Sequence, residues 1–314
     1  MKRMTLIGVL TAAGLVCVQC GSRAPGPTAP PTSPGPVQPI PEPGPGNPPP
    51  TIFPAETFVG AGDIGWCGSP GLALTGRLLD GIGGTVFAAG DNAYMDGSAQ
   101  QYRDCYEPAW GRHKGRTFPA PGNHEYQSPG AAPYFDYFGN NAVNNGPPRQ
   151  GYYSFPLGNW HAISLNSNID VGEGSPQGQW LLFDLASHPS KCTIAYWHHP
   201  LFTSGQNGDN PRMRGFWRIL YAAGVDVVVV GHDHLYERFA PQDPDGRFDR
   251  GRGIRQFIAG TGGALLYNFV TVRANSEMRI SAFGVLKLTL EADRYDWDFI
   301  PVSGAGDRGN DVCH

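Results

Sequence analysis

Five short segments of this chain each close a strand-like run with side chains able to bind metal: Gly62-Asp63-Ile64-Gly65, Gly90-Asp91-Asn92-Ala93-Tyr94, Gly122-Asn123-His124-Glu125, His198-His199-Pro200, and the stretch from Gly231 to Arg238. The runs in front of them (57–62, 85–89, 117–120, 192–197 and 226–230) are apolar, β-branched or aromatic, and each stops at a turn-forming or metal-binding segment. Helical patterning fills the gaps at 72–80, 99–113, 177–187 and 211–223. Alternation in this order predicts sheets covered by helices, with the marked side chains gathered beyond the carboxyl ends of the strands. No bulk property constrains the fold as tightly, because residues spread from 63 to 234 meet only if those strands lie side by side.

Other stretches read differently. Tyr152-Tyr153-Ser154-Phe155, a Gly158-Asn159 turn and the run 160–165 carry a β-hairpin signature. Beyond His234 the pattern turns strand-rich, at 254–259, 285–290 and 294–301. No internal repeat is apparent, and residues 56–314 read as one folded domain.

The residue types at the five strand ends are informative. Asp63, Asp91, Tyr94, Asn123, His198, His232 and His234 supply two carboxylates, a phenol, an amide and three imidazoles, enough for two adjoining coordination shells. Two ions roughly 3.5–4 Å apart form a clamp on the attacking and leaving oxygens of an in-line displacement at phosphorus. An aspartate after glycine is ordinarily a turn former. That reading loses here because both aspartates occur with the whole set.

The ordered set GD, GDxxY, GNHE, HxP and GHxHxYER resembles that of the calcineurin-like metallophosphoesterase superfamily and, within it, of the purple acid phosphatases. The resemblance runs from about Thr57 to the C-terminus. Most of the superfamily carries D-x-H in the first motif. This chain has Asp63-Ile64-Gly65 and places Tyr94 three residues after Asp91, the exchange that marks the purple acid phosphatase branch. The resemblance implies an α/β (α+β) fold, a four-layer αββα sandwich of two mixed β-sheets flanked by helices.

It also implies roles. Asp63, Asp91, Tyr94 and His234 would bind the first metal, and Asp91, Asn123, His198 and His232 the second, with Asp91 bridging. A phenolate suits Fe(III), and the second shell suits Zn, Mn or Fe(II). His124 is the expected catalytic residue, donating a hydrogen bond or proton to phosphate, as an imidazole does at mildly acidic pH. Glu125 is a supporting residue. One strand end cannot aim both imidazoles of His198-His199 at one ion. The register His198, Pro200, Ser204 favours His198 as ligand, leaving His199, with Asn123, to touch substrate. Asp233, Tyr236 and Arg238 read as packing or hydrogen-bond supports. His113, His161, His188 and His314 have no motif around them and read as ordinary surface or core histidines.

The implied reaction is hydrolysis of a small phosphate monoester by a dinuclear-metal-bound hydroxide, without a phospho-enzyme. The alternatives are a phosphodiesterase or nucleotidase on the same site, or a non-catalytic surface protein that binds phosphate or a partner. Many relatives place a further histidine in the loop after HxP to protonate the leaving group. Here that loop reads Ser204-Gly205-Gln206-Asn207-Gly208, which puts leaving-group protonation and the pH optimum in question. Neither Gly-x-Ser-x-Gly nor Gly-x-x-x-x-Gly-Lys occurs, which removes the common serine-hydrolase and nucleotide-kinase signatures.

The N-terminal region sets the context. Lys2-Arg3, an apolar run from Leu6 to Val18 and Cys20-Gly21-Ser22 read as an export signal over 1–20. Cys20 is placed as the acceptor of a membrane-anchoring lipid, with plain secretion as the alternative. Residues 21–55 form a proline-rich linker: 13 of the 27 residues from Ala24 to Pro50 are proline, a composition that cannot build a core and extends instead. At roughly 3.1 Å per residue it would reach about 80 Å. The expected location is therefore the cell envelope or outside the cell. Without Lys2 and Arg3, 21 basic residues face 27 acidic ones. This leaves no general basic footprint for nucleic acid and no polybasic cluster for anionic lipid. No protein partner is evident. Cys67, Cys105, Cys192 and Cys313 favour disulfides in an exported chain, with three pairings open. Their places just after the first and second motifs favour Cys67 with Cys105, leaving Cys192 with Cys313.

Overall fold

The computed structural model describes residues 53–314. The export signal, Cys20 and all but the last three residues of the proline-rich linker lie outside the described residues.

Two sheets form the middle of the fold. In the first, β1 (Glu56–Ala61), β2 (Thr85–Ala89) and β3 (Thr117–Ala120) are parallel. On the other side of β1, β11 (Gly284–Leu290), β12 (Arg294–Pro301) and β13 (Asp307–Val312) continue it antiparallel, in the order β13-β12-β11-β1-β2-β3. The second sheet has a parallel centre of β5 (Trp160–Ser164), β6 (Cys192–Tyr196), β7 (Val227–Val230) and β9 (Arg255–Ala259). Antiparallel β4 (Tyr153–Leu157) closes one edge, and β8 (Tyr236–Phe239) with β10 (Ser276–Ile280) the other.

Strand alternation distributes the side chains among layers. Phe58, Phe87, Val227 and Val229 point between the sheets, where they meet Trp160, Tyr196, Tyr236, Leu286 and Phe299. Val59 and Val86 point outward under α1 (Pro70–Asp80) and the helical segment 99–109, against Leu72, Leu79, Tyr102 and Trp110. Val228 and Val230 point outward under α5 (Pro176–Ser187) and α6 (Arg214–Ala222), against Leu181, Phe216 and Leu220. The four valines of β7 are all buried, as expected for a parallel strand covered on both faces. The arrangement is the four-layer αββα sandwich.

Two helices start as their sequence dictates. Ser69 and Ser175 cap α1 and α5 by accepting from Gly71 N and Gly178 N, with Pro70 and Pro176 at the first helical positions. The expected helix at 99–113 is shorter and irregular. It runs as α2 (Ala99–Gln101), a π-turn (Tyr102–Tyr106) and α3 (Glu107–Ala109), then tightens to a 3-10 turn. Tyr102, Cys105 and Tyr106, at i, i+3 and i+4, lie on its buried side. Cys105 pairs with Cys67 and Cys192 with Cys313, at Cα separations of 5.1 and 5.4 Å. Four elements lacked a sequence signal: α4 (Ala132–Phe138), β8, β10 and β13. Among the described residues no helix is long and apolar enough to cross a membrane.

Candidate metal centre

Asp63, Asp91, Asn123, His198 and His232 stand just past the carboxyl ends of β1, β2, β3, β6 and β7. The main chain is tightly bent there. Asp63, Asp91 and His232 sit at φ of 59°, 51° and 71°, a region that costs a non-glycine residue on the order of 1–3 kcal/mol. Neighbouring glycines make room. Gly90 sits at φ 82°, and a Cβ there would come 2.6 Å from the His198 ring; one on Gly122 would come 2.1 Å from Asp91 Oδ1.

The seven expected ligands converge in two groups around Asp91. In the first, the Tyr94 hydroxyl lies 2.7 Å from Asp63 Oδ1, 3.0 Å from Asp91 Oδ2 and 3.1 Å from His234 Nε2. In the second, His198 Nε2 lies 3.2 Å from the same Asp91 Oδ2, 3.1 Å from Asn123 Oδ1 and 3.3 Å from His232 Nδ1. His124 Nε2 is 3.7 Å from Asp91 Oδ2, and its backbone N–H donates to Asp91 Oδ1 at 2.9 Å.

The adjacent imidazoles are separated by burial and partner. His198 is fully buried at the centre. His199 turns to the Ser167 hydroxyl, 2.8 Å from its Nδ1, with its ring 4.5 Å from that of His232. It therefore stays beside the site, within reach of whatever binds there.

Second partners fix the rings. His198 Nδ1–H donates to the Ala89 carbonyl at 2.9 Å, and His234 Nδ1–H to the Leu265 carbonyl at 2.7 Å. A carbonyl only accepts, so both Nε2 atoms face the centre. Burial alone would drive protons onto Asp63 and Asp91; His234 beside the first and His198 beside the second hold both ionised. Burial would likewise discharge His198, but Asp91 raises it to about 9. Burial and the neighbouring His198 push His232 down to about 4 and His199 to about 2. Burial and the two carboxylates push the Tyr94 phenol well above its ordinary value. Two buried carboxylates sharing one pocket demand positive charge, and every inward-facing donor is nitrogen or oxygen. That set fits hard and borderline cations.

The bed beneath is less visible in the sequence. Buried Glu125 accepts from the backbone N–H groups of Asp91 (3.0 Å), Asn92 (2.8 Å), Ala93 (3.2 Å) and Gly122 (2.6 Å), tying the β2 and β3 loops into one block. Burial, reinforced by Asp91, pushes its carboxyl up to about 7. Asp233 accepts from Thr203 Oγ and from the Asn207 N–H, so it braces the loop after β6. Tyr267 stacks on His234 with ring centres 3.9 Å apart. Nothing in the local sequence of 264–270 announced that contact, which depends on the path of a long loop.

Residues 57–236, more than half of the chain, match the calcineurin-like phosphoesterase family. Purple acid phosphatase 21 of Arabidopsis thaliana is 30% identical over 214 residues, covering 61% of this chain and 46% of that protein. Purple acid phosphatase 18 of the same plant is 32% identical over 205 residues, covering 60% and 46%. The chain thus spans about half the length of these curated relatives. The solved structure of purple acid phosphatase PPD1 from yellow lupin (Lupinus luteus) seeds superposes with a TM-score of 0.74 at 20% identity, over 82% of this chain and 54% of that one. The fold is therefore shared with that enzyme. By its motifs, its matched span and its architecture, the chain belongs to the calcineurin-like phosphoesterase family and is similar to the purple acid phosphatases within it.

Proposed function

We propose that this chain hydrolyses small phosphate monoesters at a dinuclear metal centre. Asp63, Asp91, Tyr94 and His234 hold one ion, Asp91, Asn123, His198 and His232 the other, and Asp91 is shared. The observation that carries the reading is the position of Asp91 Oδ2, 3.0 Å from the Tyr94 hydroxyl and 3.2 Å from His198 Nε2, between the two donor groups. The bound ions would supply positive charge to the phosphoryl oxygens and acidity to water. Tyr94 favours a trivalent partner, Fe(III), because only a strong cation offsets the cost of a phenolate beside two carboxylates. The imidazole-rich group favours Zn, Mn or Fe(II).

The remaining side chains position and stabilise. The His124 Nδ1–H donates to the Met95 carbonyl, which turns Nε2 toward Asp91 and the space above it. Carrying a second proton on Nε2, His124 donates to a phosphoryl oxygen or to the departing alkoxide. That role matters more here because the loop after β6 offers Gln206 and Asn207 instead of a histidine. Asn123 and His199 complete the substrate contacts. Export through residues 1–20, the linker at 21–55 and a lipid on Cys20 belong to the same proposal, and Cys20→Ser should release the protein from membranes.

The test is turnover by the metal-replete full chain of p-nitrophenyl phosphate against bis(p-nitrophenyl) phosphate, with metal analysis and a visible spectrum. Faster monoester hydrolysis, two ions at this centre and a charge-transfer band lost in Tyr94→Phe are expected. Faster diester hydrolysis would make it a diesterase. Turnover of neither would leave non-catalytic binding as the better account.

A further inference from the structure

A second group of imidazole and carboxylate lies at the opposite edge of the second sheet, outside the motifs. His161 projects from β5, Asp184 from the last turns of α5, and His188 is the residue that ends α5. His161 Nε2 is 2.7 Å from Asp184 Oδ2, and His188 Nδ1 is 3.2 Å from Asp184 Oδ1. One donor atom from each residue lies within 4.8 Å of the others. We infer that His161, Asp184 and His188 form an accessory site for one divalent transition ion of borderline softness, with Zn(II) the best match.

The donor chemistry sets the choice of ion. Two imidazoles and a carboxylate suit Zn(II) better than Mg(II) or Ca(II), which take oxygen. Tetrahedral zinc with bonds of about 2.0–2.1 Å sets its donors roughly 3.4 Å apart. The two carboxylate–imidazole separations, 2.7 and 3.2 Å, need only a small opening to reach that figure. The two rings lie nearly parallel, 18° apart with centres at 5.0 Å. His161 and Asp184 are buried and fixed, whereas the His188 side chain is 56% exposed and free to adjust. Ser154 Oγ–H donates to Asp184 Oδ1 at 2.6 Å, the kind of outer hydrogen bond that orients a ligating carboxylate.

Access and the fourth position are also supplied. The three residues lie in the wall of a cavity of about 670 Å³ that is also lined by Trp180 and Phe183. Three protein donors leave one coordination position open to a water molecule or small anion from that cavity. The competing account is a hydrogen-bonded staple, in which His188 Nδ1–H simply closes α5 on the Asp184 carbonyl at 2.9 Å. The two accounts differ in what zinc does: an ion would clamp the end of α5 to the β4–β5 edge, and the staple is indifferent to it.

The experiment counts zinc per chain by equilibrium dialysis of the full-length protein, together with its melting temperature with and without micromolar ZnCl2 in excess Mg(II). Wild type is expected to bind one more zinc than His188→Gln, and its melting temperature to rise with zinc by several degrees more than that of the variant, whose remaining rise comes from the Asp91 centre. His161→Gln and Asp184→Asn should weaken that binding by at least about tenfold. His188 is half exposed, so its variant remains a fair test should the buried ones fail to fold. Equal zinc counts and equal melting shifts in wild type and His188→Gln would overturn the site in favour of the staple.

Discussion

Among the described residues, two clusters gather two or more imidazoles around a carboxylate, and they are built by different means. Around Asp91 the donors come from five strand ends, three of them at positive φ, and two histidines spend their second nitrogen on main-chain carbonyls. Around Asp184 they come from β5, from α5 and from the residue just past it, none of them at positive φ. Strain persists only where the surroundings over-determine it, and the Asp91 cluster has Glu125 gripping four backbone N–H groups beneath it. The Asp184 cluster instead has one half-exposed member. The first is organised to hold its geometry, and the second to exchange.

The largest expected effect tests the first half of that contrast. Asp91→Ala should release both ions and lower turnover by about 1,000-fold or more, since the shared carboxylate and its charge go together. Full metal content measured in that variant would break the two-group arrangement. His124→Ala should lower turnover by about 100-fold while the metal content of that centre is unchanged. Unchanged turnover in a metal-replete variant would remove His124 from that role. Glu125→Gln should cost about 10–100-fold in metal affinity, read by competition with a chelator.

The smallest effect concerns the second cluster. Asp184 is held ionised below the usual carboxylate range: burial opposes this, and the hydrogen bonds from His161 and Ser154 outweigh it. A depressed carboxyl adds stability that is fully present above its unfolded value, near 3.9. That contribution is lost as pH falls through the lower folded value. Metal-free Asp184→Asn should therefore unfold about 2 kcal/mol more easily at pH 7, with the difference shrinking below about pH 4 in urea titrations. A difference independent of pH would show that ionisation is not what the cluster exploits.

Much of the sandwich was legible because its parallel strands are apolar runs that stop at turn-forming or metal-binding segments. Thr85–Ala89 and Thr117–Ala120 are the clearest cases. The spacing of Tyr94 to Asp91 anticipated their contact, and the register with Pro200 and Ser204 anticipated His198, rather than His199, beside Asp91. β13 was not, because Asp307–Val312 is polar and takes its form from pairing with β12. Nor was β8, where Glu237 and Arg238 interrupt the apolar pattern yet are satisfied by Ser204 and Asp307. The left-handed backbone at Asp63, Asp91 and His232 and the Tyr267 stack on His234 are products of tertiary contact, which no window of neighbouring residues contains. His161 and His188, read from sequence as ordinary core or surface histidines, become interesting only when α5 folds onto β5.

The tail of the last motif gives the fold an unexpected wiring. The Tyr236 hydroxyl donates to Asp307 at 2.7 Å, and Arg238 Nε–H donates to the same carboxylate at 2.7 Å. Asp307 opens the final strand, in the other sheet. The signature that marks the reactive end of the molecule thus doubles as a rivet to its far terminus. Trimming a handful of C-terminal residues, or neutralising Asp307, would mimic damage at the centre without touching it, and would be mistaken for such damage by anyone judging importance from proximity alone.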